Sequence, residues 1–297
     1  MTTGAARAER MPVAQQAQAL NWLRRIPLHA AVVAICAVWL LPALGLLISS
    51  LRPASLVATT GWWTALSPPL RFTLDNYQQV LTSNNMGQSF VNSLLITIPA
   101  TVMPLLVAAY AAYAFAWMRF PGRDWLFLAV VGLLVVPLQM TLIPVLRLMT
   151  ALGLTGTFPA VWLAHSGYGL PFAIYLLRNF FVSLPSEMLE SAQIDGAGHW
   201  TAFFRLVLPT SVPAVASLAI FQFMWVWNDL LVALVYLGGQ PSVAPMTVTI
   251  GNLVNSLGQG WQLLTAAAFI SMLLPLAFFV ALRRYFVQGI LAGSVKG

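Results

Sequence analysis

Charge is what this chain has least of: only 7% of its 297 residues are charged, and Lys296 is the single lysine. A soluble chain of that length needs a charged coat, and the material for one is missing, so an ordinary soluble domain is excluded. Cysteine is almost absent as well. Cys36 stands alone in an apolar run, which rules out an internal disulfide or a thiolate metal site and suggests an inert, buried thiol. His29, His165 and His199 are scattered without metal-ligand spacing, so no metal site is expected. No G-x-x-x-x-G-K-[ST] loop occurs, and Lys296, next to the last residue, is badly placed to cradle a phosphate. No nucleophile elbow is visible either. The chain therefore reads as a non-enzyme that binds no cofactor of its own. Its bases are too dispersed for a nucleic-acid footprint.

What is present is apolar length, with hydrophobic residues making up 60% of the chain. A spanning helix needs about 20 mostly apolar residues to cross roughly 30 Å of hydrocarbon. Six stretches meet that test, near 28–50, 90–117, 125–146, 158–180, 211–237 and 262–284. The first, preceded by Arg24 and Arg25, is too long for a cleaved signal peptide and reads as an uncleaved span. Prolines 42, 99, 104, 137 and 275 fall inside these runs, and packed membrane helices tolerate them. With both termini inside, eleven bases face the cytosol, leaving only Arg52, Arg71 and Arg147 outside. That satisfies the positive-inside rule, and the inverted topology would reverse it. The expected fold is an all-α membrane protein of six spans, N-in and C-in, with no internal repeat. Residues 1–27 read as a cytosolic tail, 28–87 as the first span and external loop, 88–285 as the core, and 286–297 as a cytosolic tail.

This topology puts a polar island, 181–210, in the cytosol between the fourth and fifth spans. It holds Glu187, Glu190 and Asp195, three of the seven acids in the chain. Ser186 is a reasonable N-cap, with both glutamates near the first turn, where they favour the helix dipole. Leu189, Ala192 and Gly196 form a narrow face of mostly small residues. Asp195-Gly196 reads as a helix stop, glycine being free to take a positive φ. Beyond it, Trp200, Phe203, Phe204 and Val207 are expected on one face lying along the membrane interface. On physical grounds alone, a solvated connector explains the island about as well as a docking surface does.

The order Glu190-Ser191-Ala192, then Gly196, then Leu206-Val207-Leu208-Pro209, resembles the EAA loop of importer-type ABC permeases, with Ser191 replacing the more usual alanine. From about residue 28 onward the chain is similar to the carbohydrate-uptake branch of that family, that of the maltose permease G component. Asn76-Tyr77, Asn92-Ser93, Trp227-Asn228-Asp229 and the stretch from Arg284-Tyr285-Phe286 to Gly297 carry this likeness. The resemblance implies a type I ABC importer permease fold. It also implies that Glu187, Glu190, Ser191, Ala192, Asp195, Gly196 and Ala197 belong to a coupling helix that docks on a separate ATPase. The implied partners are an ABC ATPase dimer using ATP and Mg, a second homologous permease chain, an extracytoplasmic sugar-binding protein, and membrane lipid. Gly61-Trp62-Trp63 hints at α-glucosides.

Asp229 is the sharpest anomaly, because an ionisable group inside a span costs roughly 2.5–3.5 kcal/mol on insertion scales and marks a functional hypothesis. Counted from Pro213 it lies about 24 Å along the fifth span, in the outer third. A polar clamp with Asn228 is the stronger reading, and a place on the sugar path beside Trp227 and Asn228 the weaker. The uncharged external loop 238–261 is either a connector or, as the resemblance implies, a segment that helps to dislodge the binding protein's ligand through Asn252, Asn255 and Gln259. The alternative to an ATP-driven sugar importer is an ion-coupled carrier using Asp229, which the lack of an internal repeat makes thin.

Overall fold

The computed structural model describes residues 13–83, 85–253 and 259–294, with side-chain surroundings for 25–82, 85–253 and 259–283. The described residues are helical or loop, in the order α1 (Val13–Ser50), α2 (Ala54–Thr59), α3 (Asp75–Ser83), α4 (Met86–Trp117), α5 (Arg123–Gly132), α6 (Leu138–Ala151) and α7 (Phe158–Val182). Then come α8 (Ser186–Ile194), α9 (His199–Ala202), α10 (Leu208–Thr210), α11 (Val212–Trp227), α12 (Leu231–Leu237), α13 (Met246–Gly251) and α14 (Trp261–Ser294).

The centre is the α4–α7 pair. Ala100, Ala108 and Ala112 of α4 and Ala160, Ala164 and Ala173 of α7 are all buried. Small side chains let two backbones approach closely, which is how helices gain packing energy where lipid removes the hydrophobic driving force. Helix α11 completes the centre. A Cβ built on Gly169 of α7 would sit 2.6 Å from Oε1 of Gln222, so the glycine leaves room for that carboxamide between the helices. Gln222 in turn donates Nε2 to the carbonyl of Ala100 at 3.1 Å, tying α11 to α4. Helix α14 packs on α11, with Phe278 stacked on Phe223 at 4.3 Å between ring centroids. Helix α1 stays peripheral, resting on α14 and on the Trp62–Leu66 turn.

The span expectations need correction in two places. Four helices are continuous and apolar enough to cross a membrane: Arg25–Ser50 within α1, α4, α7, and Trp261–Arg283 within α14. The run expected as one span over 125–146 bends by 104° between α5 and α6. Pro137 explains the break, since it has no N–H and pushes Val136 into extended geometry. The run over 211–237 ends at Trp227 and restarts as α12 at Leu231. The segment that leads into it is bent too, with 75° between His199–Thr210 and α11.

Smaller differences follow from the same packing. Helix α1 begins at Val13, inside the segment expected as a tail, and α14 runs on to Ser294. Cys36 is exposed rather than buried, because α1 offers that face to nothing within this chain. The segment 51–82, expected as external, is built, not loose. Arg52 is 2% exposed and donates to the carbonyls of Thr60 and Gly61 at 3.3 and 3.1 Å, while Asn76 ties the carbonyls of Ser50 and Arg52 at 2.8 Å each.

Candidate functional site

Helix α4 separates two polar ends of the molecule. Near its start Ser89 Oγ meets Thr249 Oγ1 at 2.6 Å, and near its finish Tyr113 Oη meets His199 Nδ1 at 3.1 Å. Twenty-four residues at 1.5 Å each put these ends about 36 Å apart, more than the hydrocarbon thickness.

At the His199 end, α8 carries the acidic motif. Pro185 holds the N-cap position with no side-chain cap, so Ser186 is the first helical residue rather than the cap expected of it. Glu187, Glu190, Ser191, Asp195 and Gly196 are exposed, and Ala192 and Ala197 are half-buried. The helix ends in a Schellman motif. The N–H of Ala197 donates to the carbonyl of Ala192 at 2.9 Å, and that of Gly196 to Gln193 at 3.0 Å. Such an ending needs a left-handed residue, and Gly196 supplies it at φ 81°. The spacing of alanine, glycine and alanine in the motif is thus the spacing of a helix stop. Open space surrounds Gly196, so its position presents backbone to the outside without steric cover.

One fully buried residue anchors this exposed helix, with half-buried Met188 packed beside it. Leu189 is 3% exposed and sits in a core with Tyr113, Leu177, Phe181, Phe203 and Val207. The aromatic face expected of Trp200, Phe203, Phe204 and Val207 is split, because a π-turn over Phe203–Val207 adds a residue to the winding. Phe203 and Val207 point inward. Trp200 and Phe204 point out, stacked at 5.7 Å, and Trp200 stacks on Tyr110 of α4 at 4.5 Å. The local sequence held no sign of this contact with α4.

At the opposite end Asp229 does not sit inside a continuous helix. It occupies the break between α11 and α12 and caps the new helix, accepting from the N–H of Val232 at 3.3 Å and of Ala233 at 3.0 Å. A carboxylate at a helix N-terminus is favoured by the dipole. Its backbone carbonyl accepts from Thr247 Oγ1 at 2.6 Å, fixing α13 against the break. Its Oδ2 lies 3.6 Å from Nε2 of His165, a fully buried residue of α7. His165 showed no ligand spacing and was passed over; 64 positions separate it from Asp229, and only the fold joins them. Asn228 donates to the carbonyl of Met224 in its own helix at 2.7 Å. Trp227 is buried, donating Nε1 to the carbonyl of Ser271 on α14 at 3.2 Å.

The loop expected as external folds onto α4 through its residues 242–246. Asn92 donates to the carbonyls of Ser242 and Ala244 at 3.1 and 3.0 Å, and Ser93 Oγ accepts from the N–H of Met246 at 2.8 Å. Asn252 helps line a cavity of ≈ 170 Å³ together with Asn85, Ser89 and Thr249. Gln259 is exposed, and Asn255 lies outside the described residues. Among the described residues, no group of three or more His, Cys, Asp or Glu side chains could hold a metal ion.

Comparison with known proteins gives these features a context. The family model described as binding-protein-dependent transport system inner membrane component matches residues 20–291. The osmoprotective compounds uptake permease protein GgtD of Synechocystis sp. is 60% identical over 92% of this chain and 93% of its own length. The alpha-glucoside transport system permease protein AglG of Rhizobium meliloti is 55% identical over 80% of this chain and 63% of its own. The trehalose transport system permease protein SugB of Mycobacterium tuberculosis is 30% identical over 87% and 93%. Among solved structures, a chain of a bacterial ABC transporter involved in the import of the acidic polysaccharide alginate superposes with a TM-score of 0.72 at 19% identity, covering 90% of this chain and 97% of that one. That likeness carries the fold alone. The chain belongs to the binding-protein-dependent transport system inner membrane components: it is a non-catalytic, multi-pass permease subunit of an ABC importer, with ATP hydrolysis left to a separate chain.

Proposed function

We propose that this permease serves an importer of neutral sugars, α-glucosides foremost, and that α8 is its coupling helix. The observation that carries the second part is the exposed Schellman ending of α8, in which Gly196 at φ 81° presents bare backbone beside exposed Glu187, Glu190, Ser191 and Asp195. A partner surface can approach such an end closely, with Ala192 and Ala197 adding little bulk. The partner is an ABC ATPase dimer that binds ATP and Mg. Its closure draws α8 toward the coupling helix of a second, homologous permease and switches the cavity between them by alternating access.

In this reading the chain crosses the membrane six times with both termini inside, each bent helix pair counting as one span. The acidic end then faces the cytosol and the α13 end faces out. Asn252, Asn255 and Gln259 would meet the extracytoplasmic sugar-binding protein there, and Trp227, Asn228 and Asp229 would lie beside the path. The α-glucoside class rests on the relatives' names and on Gly61-Trp62-Trp63. A second cargo class, osmoprotective compounds, is favoured by the 60% identity to the Synechocystis permease. Nothing favours the ion-coupled carrier, since the Asp229 carboxylate is engaged in capping α12.

The test is purification of the tagged chain in mild detergent, wild type beside Gly196→Trp, with ATP hydrolysis and co-purifying chains measured. The wild type is expected to bring down an ATPase. The bulky substitution should cut that activity about tenfold or more, the loss of a contact worth at least 1.4 kcal/mol. A clean single chain under conditions that preserve complexes, or a Gly196→Trp complex hydrolysing ATP at the wild-type rate, would overturn the coupling role. Uptake of radiolabelled trehalose and sucrose in vesicles decides the cargo.

A further inference from the structure

Both broken spans restart at the same place. Helix α6 begins after Pro137 and α12 after Asp229, and the two pack against each other and against α7. A chain of hydroxyls joins them. Thr141 of α6 reaches the hydroxyl of Tyr168 on α7 at 3.2 Å, and Tyr168 meets Tyr236 of α12 at 2.7 Å. Tyr236 closes the chain on the carbonyl of Leu142 at 3.4 Å. Tyr168 is the eleventh of the 25 residues of α7, so this network lies near the middle of a span.

The α5–α6 break is uncovered. Leu133, Val135 and Val136 at the bend are all exposed, Val135 by 82%. Irregular backbone at membrane depth is not stable against lipid, where nothing satisfies its polar groups. It persists only against protein or lining a water-filled cavity. The side chains choose between these. From Leu126 to Leu146 the only polar ones are Gln139 and Thr141, with no charge at all. Gln139 is exposed, one turn past the break and two residues before the threonine that opens the hydroxyl chain. A carboxamide facing lipid would carry the full penalty of an unmet polar group, whereas facing water it carries none.

We propose that Gln139 is the contact this chain offers, inside the membrane, to a neutral polyhydroxylated solute, with the hydroxyl chain of Thr141, Tyr168 and Tyr236 on the other side of α6 holding that helix in place. A carboxamide has donors and an acceptor and no charge, which suits sugar hydroxyls and gives no purchase to an ion. Discontinuous helices meeting near the midplane are a general means of exposing such groups to cargo. The assignment rests on the sugar-importer reading above.

The experiment uses the assembled transporter with its binding protein in proteoliposomes, in a Cys36→Ser background. A Gln139→Cys variant is treated with a small, water-soluble, cationic methanethiosulfonate, with and without trehalose, in the nucleotide-free complex so that turnover cannot mimic protection. The aqueous reagent is expected to react, and trehalose to slow it. Gln139→Leu is expected to move about fivefold less sugar per ATP hydrolysed, the worth of one hydrogen bond of about 1 kcal/mol, and Gln139→Asn to restore part of it. No aqueous reaction would overturn the proposal. So would reaction untouched by trehalose together with normal transport by Gln139→Leu. If the wild type hydrolyses ATP but imports no α-glucoside, the cargo reading has failed instead, a result separable from either of those.

Discussion

The two ends of α4 hold their polar groups by opposite means. At the His199 end the acids are exposed and their helix hangs on one buried side chain, Leu189. At the Thr249 end polar groups are buried and tied into the backbone: Asn92 to two carbonyls, Ser93 to an N–H, Asp229 to two N–H groups. The first end displays its acids on an exposed helix whose ending is fixed by backbone hydrogen bonds. The second is a set of braces around the helix break at Asp229, beside which both ring nitrogens of His165 lie buried without a hydrogen bond. A polar residue near a membrane therefore has two meanings, and exposure tells them apart.

Leu189→Ala tests the contrast most severely. It removes the one fully buried anchor of α8 and should destabilise the chain by about 2–5 kcal/mol, as a buried leucine truncation does. Thermal unfolding in detergent reads this. Glu190→Gln, on the exposed side of the same helix, should leave the melting temperature nearly unchanged and act only on ATPase co-purification. Equal melting of the two variants would mean that α8 is not anchored through Leu189.

Asp229→Ala probes the braced end. Loss of the cap on α12 should reduce stability by about 0.5–2 kcal/mol, and Asp229→Asn, which keeps an acceptor, should recover most of it. Full recovery of stability with lost transport would move Asp229 from brace to path. The smallest effect is expected for Trp200→Leu, which gives up stacking on Tyr110 worth about 0.5–1.5 kcal/mol. If its melting falls as far as that of Leu189→Ala, the aromatic stack, not the leucine, is what holds the acidic end.

Much of the acidic end was legible in the sequence because its rules are local. A helix with acids in its first turns, small residues on one face and glycine at the stop needs only near neighbours. The structure adds the Schellman bonds and moves the start by one residue. The aromatic face was misjudged because the π-turn over Phe203–Val207 breaks the 3.6-residue period on which it was drawn. At the other end, hydropathy alone cannot see a break. Pro137 was tolerated as a kink and proved to be a 104° turn. The run through Asp229 was read as one span because its flanks are equally apolar.

By itself the sequence determined that this chain lives in a membrane, that it carries no ATPase, and where the acidic helix α8 stops. Each of these depends on composition or on residues within a turn or two of one another. Only the tertiary structure decided that two spans are broken, that Asp229 is a cap beside His165, and that Thr141, Tyr168 and Tyr236 form one chain. The physical reason is the same throughout. A polar group buried away from water gains from a partner, and the hydroxyl chain and the His165–Asp229 pair join residues 27 to 94 positions apart, a separation that only packing can close.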